Sequence, residues 1–473
     1  MSGNVDLKNI QGDIWPGIPK KFETHVFFNI ADAQKFKLAL ALLVPFVTTG
    51  QDVTGHRQKI LEVKQTAAAV GQPAPLVPLS TLTIAFSQFA LNKLGIKDNI
   101  GDAVYQAGQK ADAQNLGDKG TTGTTGFLPA WDAPFLQPID GLIIVAGDSQ
   151  LSIDAKLVQA KLTLGFGLIT KEVFSITGNV RPGDEKGHEH FGFLDGISNP
   201  AINNLDTSPL PGQESIRQGF LFLGREGDDT TRPSWAIDGS ILAFRFLGQH
   251  VPEFNKFLED NPIPEVVDRK KGSEFLGARL VGRWKSGAPL DLAPTEDDPD
   301  LGKDPQRNND FKYTFPGDFD TQDRCPFGAH VRKTNPRNDL EQLGVSLEKF
   351  KILRRGIPYG PEVGKDEEAE HKTKKDRGLL FRCYQSHLVN GFQFLQKSWA
   401  NTPTFPPKNG VTPGFDPIIG QTNDTKNRSI TGTDPNNQTA TLALIDEWVL
   451  SKGGEYFFVP SIPALKSTFA AHL

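Results

Sequence analysis

The sequence predicts an α+β fold built from antiparallel β-sheets. Strand-like and helix-like segments alternate irregularly along the chain, and no repeat of fixed period indicates a solenoid or a propeller. The chain also lacks the long, continuously apolar strands that are typical of doubly wound parallel sheets. Short strands mixed with helices therefore favour the α+β class.

The first half of the chain begins with β–α units whose ends carry typical capping residues. Pro45 ends the first helix, whereas Ser87 precedes the second helix as an N-cap and Gly95 follows it as a C-cap. The predicted elements of this half are strands over 22–30, 82–86, 141–146 and 172–180 and helices over 34–43, 88–94 and 151–162.

A polar, turn-forming segment over 205–212 divides the chain into two predicted domains, residues 1–205 and 206–473. The predicted elements of the second half are strands over 219–223, 240–246, 351–354 and 379–384, helices over 252–259 and 274–284, and loops over 289–324, 362–377 and 422–439. Loops of this length usually shape a binding site or are insertions.

The composition excludes several classes of protein. Of the 473 residues, 37 % are hydrophobic and 23 % are charged, which excludes a disordered chain. No apolar run approaches the ~18 residues of a membrane helix, so no membrane partner is expected. The net charge of −5 lacks the basic excess typical of nucleic-acid binding. The first residues show no basic segment followed by an apolar one, so we expect no secretory signal in this chain.

Few of the common catalytic and metal-binding motifs are present. Two cysteines, Cys325 and Cys383, are too few for a disulfide framework or an all-thiolate metal site. His188 and His190 are the only tight pair of histidines; at i and i+2 on a strand they could hold a metal ion, and a structural role in a loop is the alternative. The absence of a nucleophile elbow, a dinucleotide fingerprint and a P-loop argues against hydride transfer and nucleotide hydrolysis.

Asp195 lies in an apolar stretch, residues 191–200, between Phe and Leu on one side and glycines at both ends. A carboxylate is costly to bury in such a setting unless it is paired or reactive. A turn aspartate that caps the backbone is the alternative.

Two later stretches carry cations among apolar residues. In residues 325–337 an apolar approach leads to His330 and then to several basic residues, which provides an axial imidazole and cations suited to a haem with two propionates. A lone histidine is also often structural. Residues 352–360 contain Arg354 and Arg355 in an apolar frame.

Together these stretches resemble the dye-decolorising peroxidase family, in its fungal branch. The family's Gly-x-x-Asp-Gly hallmark is present at residues 192–196. The resemblance extends over nearly the whole chain and includes segments 9–13, 85–87, 140–149 and 277–284. It implies a pair of ferredoxin-like domains of the dimeric α+β barrel type, each with a four-stranded antiparallel sheet and peripheral helices, with haem b held mainly by the second domain.

The resemblance also implies roles for particular residues around the haem. His330 would be the proximal iron ligand, with Asp416 as the acceptor for its other ring nitrogen and Arg337 as a propionate partner. Asp195 and Arg354 would be the distal pair. Peroxide cleavage requires a base that moves a proton between the two oxygens and a cation that stabilises the developing charge, and these two residues supply both.

Four further residues complete the expected site. Leu379 and Phe381 match apolar positions of the distal pocket, which would be too narrow for a dye. Trp399 and Tyr359 match the family's redox-active positions, so they would pass electrons from donors at the surface.

The function that the resemblance implies is a haem peroxidase that uses hydrogen peroxide to oxidise dyes, phenols and other bulky aromatic donors. A non-enzymatic haem-binding or haem-delivery protein of the same fold is the alternative, and a metal-dependent hydrolase with His188 and His190 is a more distant one. Glu341 and Glu348 form either part of a Mn2+ site or a solvated helix face. Monomer and homodimer both stay open, as does the compartment, although the family favours secretion.

Overall fold

The computed structural model describes residues 4–264, 266–408, 410–422 and 427–471. The strands are β1 (Phe22–Ile30), β2 (Ser80–Phe86), β3 (Gly120–Gly123), β4 (Gly126–Pro129), β5 (Gly141–Gly147), β6 (Thr170–Asn179), β7 (Ala201–Ile202), β8 (Ser215–Ile216), β9 (Ser240–Gln249), β10 (Leu353–Arg354), β11 (Ile357–Tyr359), β12 (Gly378–Gln385), β13 (Ser429–Thr431), β14 (Thr441–Ala443) and β15 (Val449–Val459).

The helices are α1 (Ala33–Leu43), α2 (Gly50–Ala69), α3 (Gln88–Lys93), α4 (Ala103–Ala107), α5 (Gln109–Asp112), α6 (Gln150–Thr163), α7 (Val251–Asp260), α8 (Arg269–Val281), α9 (Pro299–Lys303), α10 (His330–Thr334), α11 (Asn338–Glu341), α12 (Lys365–Glu370), α13 (Phe392–Phe394) and α14 (Ile462–Ala464). Wider π-helical turns, Leu395–Ala400 and Leu465–Phe469, continue α13 and α14. No helix in these described parts of the chain is both long and apolar enough to cross a membrane.

Nine strands form one antiparallel sheet in the order β10-β12-β9-β15-β2-β5-β1-β6, with β11 also paired to β12. The C-terminal half has the order β10-β12-β9-β15 and the N-terminal half the order β2-β5-β1-β6. When the strands of each half are numbered along the chain, with β10 and β11 counted as one strand, both halves have the order 2-3-1-4. The halves meet where β15 pairs with β2 through Phe458 and Phe86. The prediction of an α+β fold with ferredoxin-like halves is confirmed.

Alternating side chains of the central strands divide the core between the two faces of the sheet. On β5, Ile143 and Val145 pack into the cluster covered by α1, α3 and α6, whereas Leu142 and Ile144 pack into the cluster on the opposite face. This alternation follows from the two-residue period of a strand. A third apolar cluster surrounds α7 and α8. It covers one side of the cavity described below.

Glycine is required where α8 ends. Gly282 adopts a left-handed conformation (φ 92°), and a Cβ at this position would lie 2.3 Å from Val331 Cγ2. Left-handed backbone and close packing both favour the residue without a side chain. The end of α8 is thereby packed against the residue that follows His330.

Most predicted elements are present, with ends that differ by a few residues, but the strand predicted over 219–223 is wrong. The start of this segment belongs to a 3₁₀ turn, Gln218–Phe220, and the rest is a loop. The amide of Gly219 donates to the carbonyl of Glu226 at 2.7 Å, so the chain folds back on itself instead of running on as a strand. The apolar run is buried here by a compact loop.

The helix α2 and the strand β15 were not predicted from the sequence. Only Gly50, Val53 and Ala67 of α2 are buried, so its apolar stripe is weak, although Thr49 and Asp52 form a capping box. Strand β15 contains the register shift between Ser451 and Gly453, which interrupts the pattern of a central strand.

The predicted loops contain short elements of their own. Helix α9 interrupts the first loop, α12 lies in the second, and β13 lies in the third. Residues 423–426 of the third predicted loop, and residues 1–3 of the predicted leaderless N-terminus, lie outside the described residues. The predicted domain boundary at residue 205 falls between β6 and β9, the last and first strands of the two halves of the sheet.

Candidate active site

A cavity lies between the C-terminal half of the sheet and the segments around α8 and α10. The predicted site residues that line it are Asp195, His330, Arg337, Arg354, Leu379 and Phe381. They come from four separate parts of the chain: the loop at Asp195, the stretch from His330 to Arg337, strand β10 and strand β12. Tertiary folding, not local sequence, brings them together.

His330 begins α10, and Asp416 orients its imidazole. The distance from His330 Nδ1 to Asp416 Oδ2 is 2.8 Å, and Asp416 Oδ1 accepts hydrogen bonds from the amides of Ile418 and Ile419. Burial alone would lower the pKa of His330, but the Asp416 carboxylate outweighs burial and raises that pKa above its usual value. The bond at Nδ1 leaves Nε2 available to bind a ligand in the cavity.

Lys333 attaches α10 to the chain segment that carries Asp416. Its ammonium group donates to the carbonyls of Thr402 and Gly414 at 2.7 and 2.6 Å. Burial lowers the pKa of Lys333 to about 7. The contact holds the histidine and its carboxylate partner in one unit.

Asp195 and Arg354 form an ion pair inside the cavity. Arg354 Nη1 donates to Asp195 Oδ1 at 2.6 Å, and the amide of Gly196 donates to the same oxygen at 2.6 Å. Burial raises the pKa of Asp195, but the Arg354 guanidinium more than offsets this effect, and the net pKa is lowered. The carboxylate is therefore held ionised, and Oδ2 has no hydrogen-bond partner among the described residues.

The neighbouring arginine faces away from the cavity. Arg355 donates to the carbonyls of Asp13, Ile14 and Pro16 in the N-terminal segment. Successive residues of a strand point to opposite faces. The structure therefore places Arg354, and not Arg355, beside Asp195.

Two residues that hold the ion pair in place were not assigned roles from the sequence. Asn199 accepts from the Arg354 amide at 3.0 Å and donates to its carbonyl at 3.4 Å, so it fixes the backbone of β10. Glu189 accepts from the amides of Phe191 and Phe193, both at 2.9 Å, and so shapes the loop that ends at Asp195. Asn199 lies in the stretch 191–200 and Glu189 lies between His188 and His190, but their contacts to backbone groups leave no sequence signal.

Two buried guanidinium groups line one side of the cavity. Arg337 donates to the side chain of Asn309 at 2.6 Å and to the carbonyl of Phe311, and Arg283 donates to backbone carbonyls and to neutral side chains. Neither forms an ion pair within the described residues. Burial, and secondly the charge of Arg337, lowers the pKa of Arg283 to about 9. This side of the cavity therefore favours an anionic ligand. Arg283 was not assigned a role from the sequence.

Leu379 and Phe381 form part of an apolar wall. They lie two residues apart on β12, which pairs with β9, and so they point to the same face. The cavity thus combines an imidazole, a carboxylate–guanidinium pair, two unpaired cations and apolar walls.

Trp399 and Tyr359 do not line the cavity, and the expectation that they lie at the surface is wrong. Trp399 is 4 % exposed and Tyr359 is 3 % exposed. Phe405 stacks on Trp399 with ring centroids 4.9 Å apart and covers it. Phe350, whose ring is 5.0 Å from Trp399, itself lines the cavity. Tyr359 Oη donates to Asp376 at 3.0 Å.

The alternative metal sites gain no support from the geometry. His190 Nε2 lies 2.8 Å from the Tyr359 carbonyl, and Arg217 binds the carboxylate of Glu348. Glu341 lies 3.9 Å from the ammonium of Lys312.

In the part of the chain that the structure describes, the one group of three side chains close enough to share an ion is Asp228, Asp229 and His387. Arg232 already occupies it, at 2.9 Å from both Asp228 and His387.

Two family models match this chain. Residues 9–182 match the model described as DyP dimeric alpha+beta barrel domain, and residues 187–405 match the model described as Dyp-type peroxidase, C-terminal.

Curated proteins and solved structures are similar over the full length. A dye-decolorizing peroxidase of Exidia glandulosa is 46 % identical over 476 residues, which cover 99 % of this chain and 88 % of that protein. The structure of an ancestral D-type dye decolorizing peroxidase is 54 % identical with a TM-score of 0.92, over 99 % of this chain and 100 % of that one. A dye-decolorizing peroxidase in complex with 2,6-dimethoxyphenol is 46 % identical with a TM-score of 0.87, over the same shares.

Proposed function

The chain belongs to the dye-decolorising peroxidase family, and on that premise we propose that it holds haem b on His330 and reacts with hydrogen peroxide at Asp195 and Arg354. It is a peroxidase that oxidises aromatic substrates. The observation that supports the proposed site is that these three side chains line one cavity. Phenols are proposed as donors because a solved relative is described in complex with 2,6-dimethoxyphenol.

The residues of the cavity fit a haem group. His330 has its Nδ1 engaged by Asp416, so Nε2 would bind iron, and the carboxylate would increase the electron density on the imidazole. Arg337 and Arg283, which form no ion pair with any described residue, would hold the propionates. When bound, haem supplies an iron that binds peroxide and stores oxidising equivalents.

Asp195 is the proposed proton carrier. Its Oδ2 is free to take a proton from peroxide and to return it to the leaving oxygen, while Arg354 stabilises the negative charge that develops as the O–O bond breaks. In the proposed division at residue 205, Asp195 belongs to the N-terminal domain and Arg354 to the haem-binding C-terminal domain. The ion pair would then align both domains on one substrate.

Large donors are proposed to react through Trp399 and Tyr359. Leu379 and Phe381 line the cavity, and in this proposal they keep a dye from reaching its interior. Trp399 contacts Phe350, which lines the cavity, and the partly exposed Phe405 lies between Trp399 and solvent. An electron from a donor at the surface would therefore pass Phe405 to reach the Trp399 indole and then Phe350 to reach the cavity.

An absorption spectrum before and after one equivalent of hydrogen peroxide tests the proposal. A Soret band that shifts on addition of peroxide is expected. A band that does not respond would support the haem-delivery alternative, and the absence of a Soret band would exclude both readings.

The variant His330→Ala tests the iron ligand. We expect it to lose most haem or its normal ligation, because the one imidazole among the described residues that line the cavity is removed. His188→Ala is the matched control and should keep haem content and spectrum. Normal haem in His330→Ala would overturn the assignment, whereas loss of haem in His188→Ala would return attention to the His188 and His190 pair.

The variant Trp399→Phe tests the electron path. It should keep its haem and its rate with peroxide but lose most turnover of a large anthraquinone dye, while small phenols are less affected. Trp235→Phe is the control, because this partly exposed indole packs on Phe458 and Phe469, outside the cavity lining. Equal dye turnover in wild type and Trp399→Phe would contradict the relay.

A further inference from the structure

Tyr456 is a buried tyrosine close to the cavity that the proposed function does not use. It lies in the middle of β15 and is fully buried. Its ring centroid is 6.3 Å from that of Phe392, and Phe392 lines the cavity together with Phe381, 6.0 Å farther on. One aromatic ring therefore separates the phenol from the proposed haem site.

The hydroxyl of Tyr456 donates to a carboxylate that forms no ion pair within the described part of the chain. Tyr456 Oη is 2.7 Å from Asp112 Oδ2. The other donors to Asp112 are neutral amides, Gln393 Nε2 at 2.6 Å and Asn115 Nδ2 at 3.1 Å. Burial raises the pKa of Asp112 above its usual value. A carboxylate in this setting accepts a proton more readily than one that is bound to a guanidinium group.

Other buried tyrosines lack this combination. Tyr384 also donates to a carboxylate, that of Asp13, but Asp13 is bound by Arg382 through two hydrogen bonds, at 3.0 and 2.9 Å. The guanidinium outweighs the effect of burial, so the pKa of Asp13 is lowered. Tyr105 donates to a backbone carbonyl, that of Phe86, which cannot take up a proton.

We propose that Tyr456 is a redox-active residue whose oxidation is coupled to proton transfer to Asp112. After peroxide has oxidised the haem, one electron passes to the haem from Tyr456, and the phenolic proton moves from Oη to Asp112 Oδ2. The products are a neutral tyrosyl radical and a neutral carboxylic acid. An electron from a donor and return of the same proton restore the pair. This inference rests on the proposed function, because it requires a haem that peroxide oxidises.

The charges around Tyr456 favour loss of the proton together with the electron. Arg245 faces the tyrosine from β9 and lines the cavity, and Asp118 is its ion-pair partner. Glu455 precedes Tyr456 on β15. A tyrosine cation would be repelled by Arg245, whereas a neutral radical is not. The buried site therefore places a proton acceptor where the oxidation needs one.

Electron paramagnetic resonance on the haem-loaded enzyme, frozen soon after peroxide is added without a donor, tests the proposal. The double variant Trp399→Phe, Tyr359→Phe is the background, because it removes the other proposed radical sites. A tyrosyl signal is expected to persist there and to fall at least tenfold when Tyr456→Phe is added. Tyr105→Phe, which removes an equally buried hydroxyl, should leave the signal in place.

Asp112→Asn provides the second measurement, since it keeps Tyr456 and a side chain of the same shape but removes the proton acceptor. The tyrosyl signal should again fall at least tenfold. A signal that survives in both Tyr456→Phe and Asp112→Asn, or that is absent from the background, overturns the proposal. The Soret band and its shift with peroxide are recorded in every sample. Loss of that shift in wild type would contradict the proposed function, whereas a normal shift without the expected losses contradicts only the role of Tyr456.

Discussion

Arg354 on β10 and Arg382 on β12 lie on adjacent strands, both bind carboxylates, and they differ in how many of their hydrogen-bond donors are used. Arg382 makes five side-chain hydrogen bonds, to Asp13, Glu23 and His25, so every N–H of its guanidinium is engaged. Arg354 makes one, to Asp195.

The two arginines and their carboxylate partners also differ in solvent exposure, and the arginine with more hydrogen bonds is the less exposed one. Arg382 and Glu23 have no exposed side-chain surface, whereas Arg354 is 30 % and Asp195 36 % exposed, and both line the cavity. The group around Arg382, with Asp13, Glu23 and His25, is called the Arg382 cluster below. A saturated buried cluster can only hold chain segments together, whereas an incompletely bonded pair can bind a further molecule.

The largest expected effect is the loss of stability in Arg382→Leu. This change leaves the buried carboxylate of Asp13 without its ion-pair partner and Glu23 with Lys20 alone, and the loss of one partner of a buried pair typically costs about 3–5 kcal/mol of unfolding free energy. Chemical denaturation of the haem-loaded protein measures it. Arg354→Leu is the matched comparison and should cost clearly less, because Asp195 remains in contact with a cavity. Equal losses in the two variants would remove the distinction between the two groups.

The second effect is on the reaction with peroxide. Arg354→Leu should slow it by ~10² or more, the range found when a positioned electrostatic stabiliser is removed. Stopped-flow measurement of the Soret shift gives the rate constant. Arg355→Leu is the control, because Arg355 binds backbone carbonyls outside the cavity. A larger effect in Arg355→Leu would show that the wrong arginine has been assigned.

The third effect is the pH dependence of the same rate. Arg354 outweighs the effect of burial and keeps the pKa of Asp195 below its usual 3.8, so the carboxylate stays ionised as the pH falls toward that value. The rate constant should therefore change by less than about tenfold between weakly acidic pH and pH ~4, and it should fall only below that range. Arg354→Leu removes the largest effect that opposes burial, so the pKa of Asp195 should rise and the acid limb should move to higher pH. A wild-type acid limb near the pKa of an ordinary histidine would contradict Asp195 as the base.

Much of the fold could be predicted because its signals are local. The strands β1, β2 and β5 are rich in β-branched, aromatic and other apolar residues, and α1 has a clear cap at Asp32 and a stop at Pro45. Ser87 precedes α3 as predicted, but its hydroxyl donates to the carbonyl of Ile139 and caps no helix amide. The exceptions lacked such signals. Helix α2 is polar on most of its surface, and the apolar run at 219–223 is buried by a loop that folds back on Glu226, which no local pattern encodes.

Site residues could be predicted from the sequence only where their residue type suits the chemistry of a peroxidase and they lie in a recognisable motif. His330, Asp195 and Arg354 belong to motifs that carry the family resemblance. Arg283 and Asn199 act through geometry: one is a cation without an anionic partner, and the other holds a backbone segment. Their roles depend on residues that are distant in sequence, so the structure was needed to identify them.

The smallest expected effect concerns His25 in the Arg382 cluster. Its Nε2 accepts from Arg382 Nη1 at 3.0 Å, so the imidazole is held neutral. Burial is the main reason that its pKa falls from 6.5 to about 3, and the nearby Arg382 adds to it against the opposing charge of Glu23. Because the folded pKa lies below the unfolded one, the unfolded chain takes up a proton that the folded chain does not. His25 therefore contributes its full stability above pH ~6.5, and this contribution is lost as the pH falls toward the folded pKa.

In His25→Gln the free energy of unfolding should depend less steeply on pH between about 6.5 and 4.5, by up to about 1.4 kcal/mol per pH unit. Glu23 and Asp13, whose pKa values are lowered mainly by Arg382 against the effect of burial, add their own loss of stability only below that window. Urea titrations at several pH values give the slope. His371→Gln, a change at the partly exposed end of α12, should keep the wild-type slope. An unchanged slope in His25→Gln would mean that His25 takes up a proton in the folded protein. The contrast between the saturated Arg382 cluster and the incompletely bonded pair of Asp195 and Arg354 would then fail.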